Sequence, residues 1–164
     1  MTLGMHFAIS YEQAMKLLQC KTDEDLVEMV EEEVEEVSTE ENSFQTDKSW
    51  DAIHRCLSNG TLDIRQGTRP LNLAILGGNI LNKEPEYLVA LLTPTEVKQV
   101  AEALSQVTED WMKKKYFDQK FPDYAGEKSQ EDWEYTWGSF DGMPEFFANA
   151  AARKQHVIFT VDQH

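Results

Sequence analysis

Cysteine is scarce, and so is positive charge. The chain has 164 residues and two cysteines, Cys20 and Cys56. Two cannot form a disulfide framework, and their spacing matches no metal motif. Reduced, buried thiols are the expectation. Lysine and arginine number 15 against 30 aspartates and glutamates, a net charge of −15. Such a surface repels phosphates, which argues against DNA or RNA as a partner and is compatible with a basic one. Surplus acid also keeps a protein soluble. The triplet Lys113, Lys114, Lys115 is too small a patch to reverse this.

Other absences narrow the field. No window of about 18 apolar residues occurs, so no membrane-spanning helix is expected. The first residues, Met1 to His6, have no basic stretch followed by an apolar run. That is not a secretory signal, and the expected location is the cytoplasm. His6, His156 and His164 stand alone, with no HExxH pair for zinc. There is no G-x-S-x-G elbow, no phosphate-binding Gly-Lys-Ser/Thr and no three-glycine dinucleotide fingerprint. Neither a metal nor a cofactor is expected.

What remains suits a packed body. The hydrophobic fraction is 41% and the aromatic fraction 10%, enough to exclude a disordered chain. A chain of this length buries roughly 70% of its unfolded surface and needs no staples. No internal repeat or composition break divides it, so one domain over 1–164 is expected.

Patterning supplies the elements. Residues 5–10 alternate and read as a strand. Ser10 with Gln13 forms a capping box that opens a helix to about Gln19. Thr22 caps a second helix, with Asp23, Glu24 and Asp25 in the first turn, where the helix dipole favours acids. Leu26, Val27, Met29, Val30, Val34 and Val37 follow helical periodicity on one side. Glu28, Glu31, Glu32, Glu35 and Glu36 form the other side.

Residues 38–43 read as a mobile loop. A helix is expected over 47–57, ended by Asn59 and Gly60. A short strand is expected at 62–64. The apolar run 71–76 is too short to assign and is broken by Gly77 and Gly78. A buried strand is expected at 86–92. Thr93, Pro94 and Glu96 start a helix whose stripe is Val97, Val100, Ala101 and Leu104. Further helices begin at Thr108, Ser129 and Pro144, and 157–161 reads as a central last strand. Interleaved helices and strands predict an α+β fold: a central mixed sheet of about four or five strands, packed with helices in layers.

Four features can carry chemistry, each beside a plainer reading. Trp50, Ile53, His54 and Leu57 share a helical face, and His54 lies one turn after Trp50. With Asp47 near, the imidazole can act as a base near neutral pH. The plainer reading is a satisfied histidine at the edge of the core. Gly77 and Gly78 can bring backbone N–H groups to an anion, or simply make a tight turn. Residues 22–47 hold twelve acids and no lysine or arginine. They form a docking face for a basic protein or a solvated helix face. The acids follow helical spacing rather than that of a calcium loop. The aromatics Trp111, Tyr116, Phe117, Trp133, Tyr135, Trp137, Phe140, Phe146 and Phe147 are core first and pocket wall second.

Three segments together carry a resemblance. They are Asp47-Lys48-Ser49-Trp50 with Ala52-Ile53-His54, Leu73-Ala74-Ile75-Leu76-Gly77-Gly78, and Tyr87-Leu88 with Leu92-Thr93-Pro94 and Glu96-Val97. In that order, and with Phe146, Phe147, Ala150 and Ala151 leading to the strand at Val157, the chain resembles the YfbM-like family of uncharacterised bacterial proteins. The resemblance covers nearly the whole chain. It implies a layered sheet with helices and a bacterial cytoplasmic home. The family has no established activity, so it implies no site residues.

Two functions follow as expectations. One is a non-enzymatic binding protein that docks a basic partner through Glu28, Glu31, Glu32, Glu35 and Glu36. The other is a small-ligand binder or enzyme with its site around Asp47, Trp50, His54, Gly77 and Gly78.

Overall fold

The computed structural model describes residues 3–162; His164 therefore lies outside the described residues. Strand β1 (Gly4–Ile9) leads into α1 (Tyr11–Leu18) and α2 (Asp23–Val30), which continues as a π turn (Glu31–Glu35). β2 (Ser43–Asp47), α3 (Trp50–Leu57), a short 3-10 turn (Leu71–Leu73), β3 (Asn79–Ile80) and β4 (Tyr87–Leu92) follow. The chain closes with α4 (Pro94–Leu104), α5 (Glu109–Asp118), α6 (Gln130–Phe140), α7 (Met143–Ala152) and β5 (His156–Asp162). This is the expected α+β class.

The five strands form one sheet in the order β2-β1-β5-β4-β3. Every pairing is antiparallel, so the sheet is not mixed as the sequence suggested. The helices between β1 and β2, and those between β4 and β5, return the chain to the end of the sheet from which the next strand runs back. β5 is the centre, as expected. It pairs from His156 to Val161 with β1 and from Val157 to Asp162 with β4.

Strand periodicity divides the core into two layers. Phe7, Ile9, Val89, Leu91 and Ile158 face one side and meet Ala14, Leu17, Leu26, Val30 and Val34 of α1, α2 and the π turn. Ala8, Ala90, Leu92, Val157, Phe159 and Val161 face the other side and meet α3 to α7. Strands buried on both faces read as near-continuous apolar runs, which is why β4 and β5 were legible. Burying one side chain such as Ile158 contributes about 1.5–3 kcal/mol.

The helix starts follow their caps. Ser10 and Gln13 make the full capping box, as do Thr93 and Glu96, while Thr22, Thr108 and Ser129 each accept the N–H three residues on. The π turn was not foreseen. Glu36 N–H reaches Glu31 C=O at 3.0 Å, five residues back. The wider turn rotates the register, so the apolar stripe ends at buried Val34 and Val37 is 58% exposed.

Three other assignments are corrected. β2 lies where a loop and the start of a helix were expected. It is a half-buried, mostly polar edge strand, Ser43 to Asp47, whose single apolar residue, Phe44, makes no period to reveal it. Asp47 ends that strand at φ 51°, so α3 starts only at Trp50. Residues 62–64 are not a strand. The Asp63 carboxylate accepts from the Arg65 backbone N–H and guanidinium, and the chain turns there instead.

Gly77 and Gly78 form the turn into β3. Gly78 has φ +91°, and a Cβ on it would meet the Leu91 carbonyl oxygen at 2.5 Å. A Cβ on Gly77 would meet Leu73 Cα at 2.3 Å. Both conformation and space require glycine at 78. Gly78→Ala is therefore expected to destabilise the fold by about 1–3 kcal/mol or more, read as a lowered denaturant midpoint. An unchanged midpoint would show that the turn is not held as described.

Candidate functional site

Two surface features compete for function: a cleft beside α3 and a groove beside α2. α3 is short and almost wholly buried. Trp50 lies against Phe159, with ring centroids 6.1 Å apart. Ser49 precedes it and caps with backbone only. Its hydroxyl is buried against the Tyr135 phenol without completing a hydrogen bond of good geometry.

The cleft has a volume of 480 Å³ and lies between the start of α3, the loop before α6, and α6 itself. Trp50, Tyr124 and Tyr135 wall it, and Asp51 and Asp132 are its carboxylates. Tyr116 and Tyr124 both donate their phenol O–H to Oδ2 of Asp132, the latter at 2.8 Å. Tyr135 donates to Asp47. Gly126 passes so close to the Tyr124 ring that a Cβ would lie 2.7 Å from it.

Arg55 lies behind the cleft and is 2% exposed. Its Nε pairs with Asp51, and its Nη1 donates to the Gly60 carbonyl at 3.0 Å and the Pro122 carbonyl at 2.7 Å. The guanidinium carbon is 5.5 Å from the Tyr124 ring centroid and 5.7 Å from that of Phe121. Lys128 Nζ lies 4.6 Å from the Phe121 centroid and 5.4 Å from that of Tyr116. Burial raises the Asp51 pKa and outweighs the Arg55 ion pair. Burial, then the Asp132 carboxylate, raises the pKa values of Tyr116 and Tyr124 well above that of an ordinary phenol. Both phenols therefore stay protonated and serve as donors.

The cleft gathers only part of the sequence-based site. Trp50 lines it and Asp47 reaches it through Tyr135. His54 turns inward and is 1% exposed, with neither ring nitrogen partnered. Gly77 and Gly78 pack against Leu73 and β4 instead. Arg55, Tyr124 and Asp132 were missed, while Tyr116 and Tyr135 stood among the aromatics read as core first and pocket wall second. The i, i+4 spacing of Asp51 and Arg55 was a usable signal. Tyr124 lies in an irregular segment that carried none.

The groove has a volume of 370 Å³ and runs between α1 and α2. Glu28 and Glu32 line it with Asp25, Glu33 and Met29. Lys16 pairs with Glu33 at 3.3 Å, with both side chains about half exposed; such a pair is worth little. Glu31 and Glu35 lie on the other flank. Tyr87 O–H approaches Glu35 Oε1 at 3.5 Å. Burial, then Glu31, raises the Glu35 pKa. Glu36 is exposed. The expected acidic face is thus split by the π turn into a groove side and a sheet side.

Among the described residues no group of three or more His, Cys, Asp or Glu is placed to hold a metal ion. No described helix is long and apolar enough to cross a membrane.

A helical-layered antiparallel sheet with an aromatic and carboxylate cleft defines a class, and comparison supplies the family. Residues 1–160 match the family model "Domain of unknown function (DUF1877)", and the chain belongs to that family. Among solved structures it is similar to YfbM from Escherichia coli, a protein of unknown function, with a TM-score of 0.71 at 16% identity. That likeness covers 97% of this chain and 99% of the other, and it is a likeness of fold. The YfbM-like resemblance read from the sequence is borne out. No curated protein matches the chain.

His54 has a consequence for stability. Burial, then the Arg55 charge, lowers its pKa to about 4. Burial lowers His6 to about 4 as well, against its 2.7 Å hydrogen bond to the Ala74 carbonyl. The unfolded chain protonates both near pH 6.5, while the folded chain resists until about 4. Their contribution is therefore intact above pH 6.5 and is lost as pH falls toward 4, on the order of 3 kcal/mol each. Denaturant midpoints between pH 7 and 4.5 are expected to fall, and His54→Leu is expected to flatten that fall. The same slope in the variant would show that His54 ionises freely.

Proposed function

We propose that the protein is a non-enzymatic binding protein that docks a basic protein through the acidic face of α2 and the π turn. The observation that carries this is the groove beside α2, where Asp25, Glu28, Glu32 and Glu33 line the wall with Met29 and Lys16 is the one basic residue among the described lining. Four carboxylates against one lysine, around Met29, suit a lysine- or arginine-bearing segment with one apolar side chain. Charge of this density would speed encounter more than it would tighten the complex. Glu31, Glu35 and Glu36 extend the face past the groove. The cytoplasm is the proposed location, in keeping with the unpaired thiols of Cys20 and Cys56.

A second reading is a small-ligand protein with its site beside Asp47 and Trp50. The specific observation in its favour is the cleft that takes in Trp50 and is walled by Tyr135, the partner of Asp47.

The docking reading is tested by carbodiimide cross-linking in a cell extract, which joins carboxylates to a partner's lysines, with the joined residues mapped by mass spectrometry. Partners joined at Glu28, Glu32 or Glu35, and lost from a variant with all three reversed to lysine, are the expected outcome. An unchanged partner list in that variant would exclude this face.

A further inference from the structure

We infer that the cleft between α3 and α6 binds a small organic ammonium ion, held by the Asp132 carboxylate within the walls of Trp50, Tyr124 and Tyr135. This deepens the small-ligand reading and is independent of the acidic docking face.

Asp132 is the starting point. Tyr116 and Tyr124 both donate to its Oδ2, and no hydrogen bond from a described residue reaches Oδ1. It makes no ion pair among the described residues, whereas Asp51 beside it has Arg55. Asp132 is thus a half-buried carboxylate, hydrogen-bonded on one oxygen and without an ion pair among the described residues. A carboxylate in that state attracts a cation.

The walls define which cation. Aromatic faces attract cations through the ring quadrupole, most strongly where water is excluded. This cluster already does so on its inner side, where Arg55 lies over Tyr124 and Phe121 and Lys128 over Tyr116 and Phe121. On its outer side the same tyrosine, Tyr124, and the same carboxylate, Asp132, face an open cleft of 480 Å³. A strongly hydrated metal ion gains little from apolar walls, while an alkylammonium buries its methyl groups there. The site is also preorganised. Gly126 leaves no room for a side chain against Tyr124, and two tyrosines orient Asp132. Lys48 also lines the cleft and is exposed.

The probe is tetramethylammonium chloride, followed by amide shifts of Gly126 and Asp132 and the indole signal of Trp50 in NMR spectra. Sodium chloride at equal ionic strength is the blank, and tert-butanol is the uncharged analogue. Saturable shifts with a dissociation constant on the order of 1 mM are expected, with none for tert-butanol. Asp132→Asn is expected to weaken binding about tenfold or more. Tyr135→Ala, at a position 43% exposed, supplies a second variant if the first disturbs the tyrosine pair. Glu28→Gln with Glu32→Gln should bind as the unaltered protein does, so failure here is separate from failure of the docking face. No saturable shift at these residues, equal response to tert-butanol, or undiminished binding in both cleft variants would overturn the inference.

Discussion

The last strand of the chain holds the middle of the sheet, and the rest of the structure depends on that placement. β5 pairs along its length with β1, the first strand, and with β4. Its residues from His156 to Val161 are buried, with alternate side chains entering the two core layers. Until β5 docks, β1 and β2 have no partner linking them to β4 and β3, and neither helical layer has a complete surface to cover. The pairing of β5 with β1 joins the two ends of the chain, from Gly4 with Val161 to Ile9 with His156, so its loop-closure entropy must be overcome before packing rewards it.

The helical layers do different work on that sheet. α1, α2 and the π turn seal one face with a thin apolar stripe and turn every spare carboxylate outward. The other face carries a thicker layer of five helices with polar groups inside it. There Arg55 ties α3 to the carbonyls of Gly60 and Pro122, and Asp132 ties α6 to Tyr116 of α5 and to Tyr124. These bonds replace side-chain packing where helix ends and an irregular loop leave gaps, because buried polar groups must find partners. The cleft is the outer edge of the same arrangement. Its aromatic walls and carboxylates are where the supporting network meets solvent.

Elements that announce themselves locally were legible. Ser10 with Gln13 and Thr93 with Glu96 are reciprocal caps, and both opened helices where expected. The near-continuous apolar runs of β4 and β5 marked buried strands. β2 and β3 were not legible: one is mostly polar and at an edge, and the other is two residues long. Edge strands are specified by the neighbour they pair with, not by a period of their own. The π turn escaped for a similar reason, since the run of glutamates and valines fits a plain helix equally well. Within the candidate site, Trp50 and Asp47 were found because they sit in a compact segment. Arg55, Tyr124 and Asp132 come from three separate stretches, and no spacing rule joins them.

Sequence alone determined the α+β class, the outward charge, the principal helix starts and the buried central strand, because each depends on interactions within a few residues or on composition. Tertiary structure decided the antiparallel order of the sheet, the inward turn of His54 and the meeting of Asp132 with Trp50, Tyr124 and Tyr135. Those depend on which distant surfaces pack together, and packing energy is shared among residues that no local pattern connects.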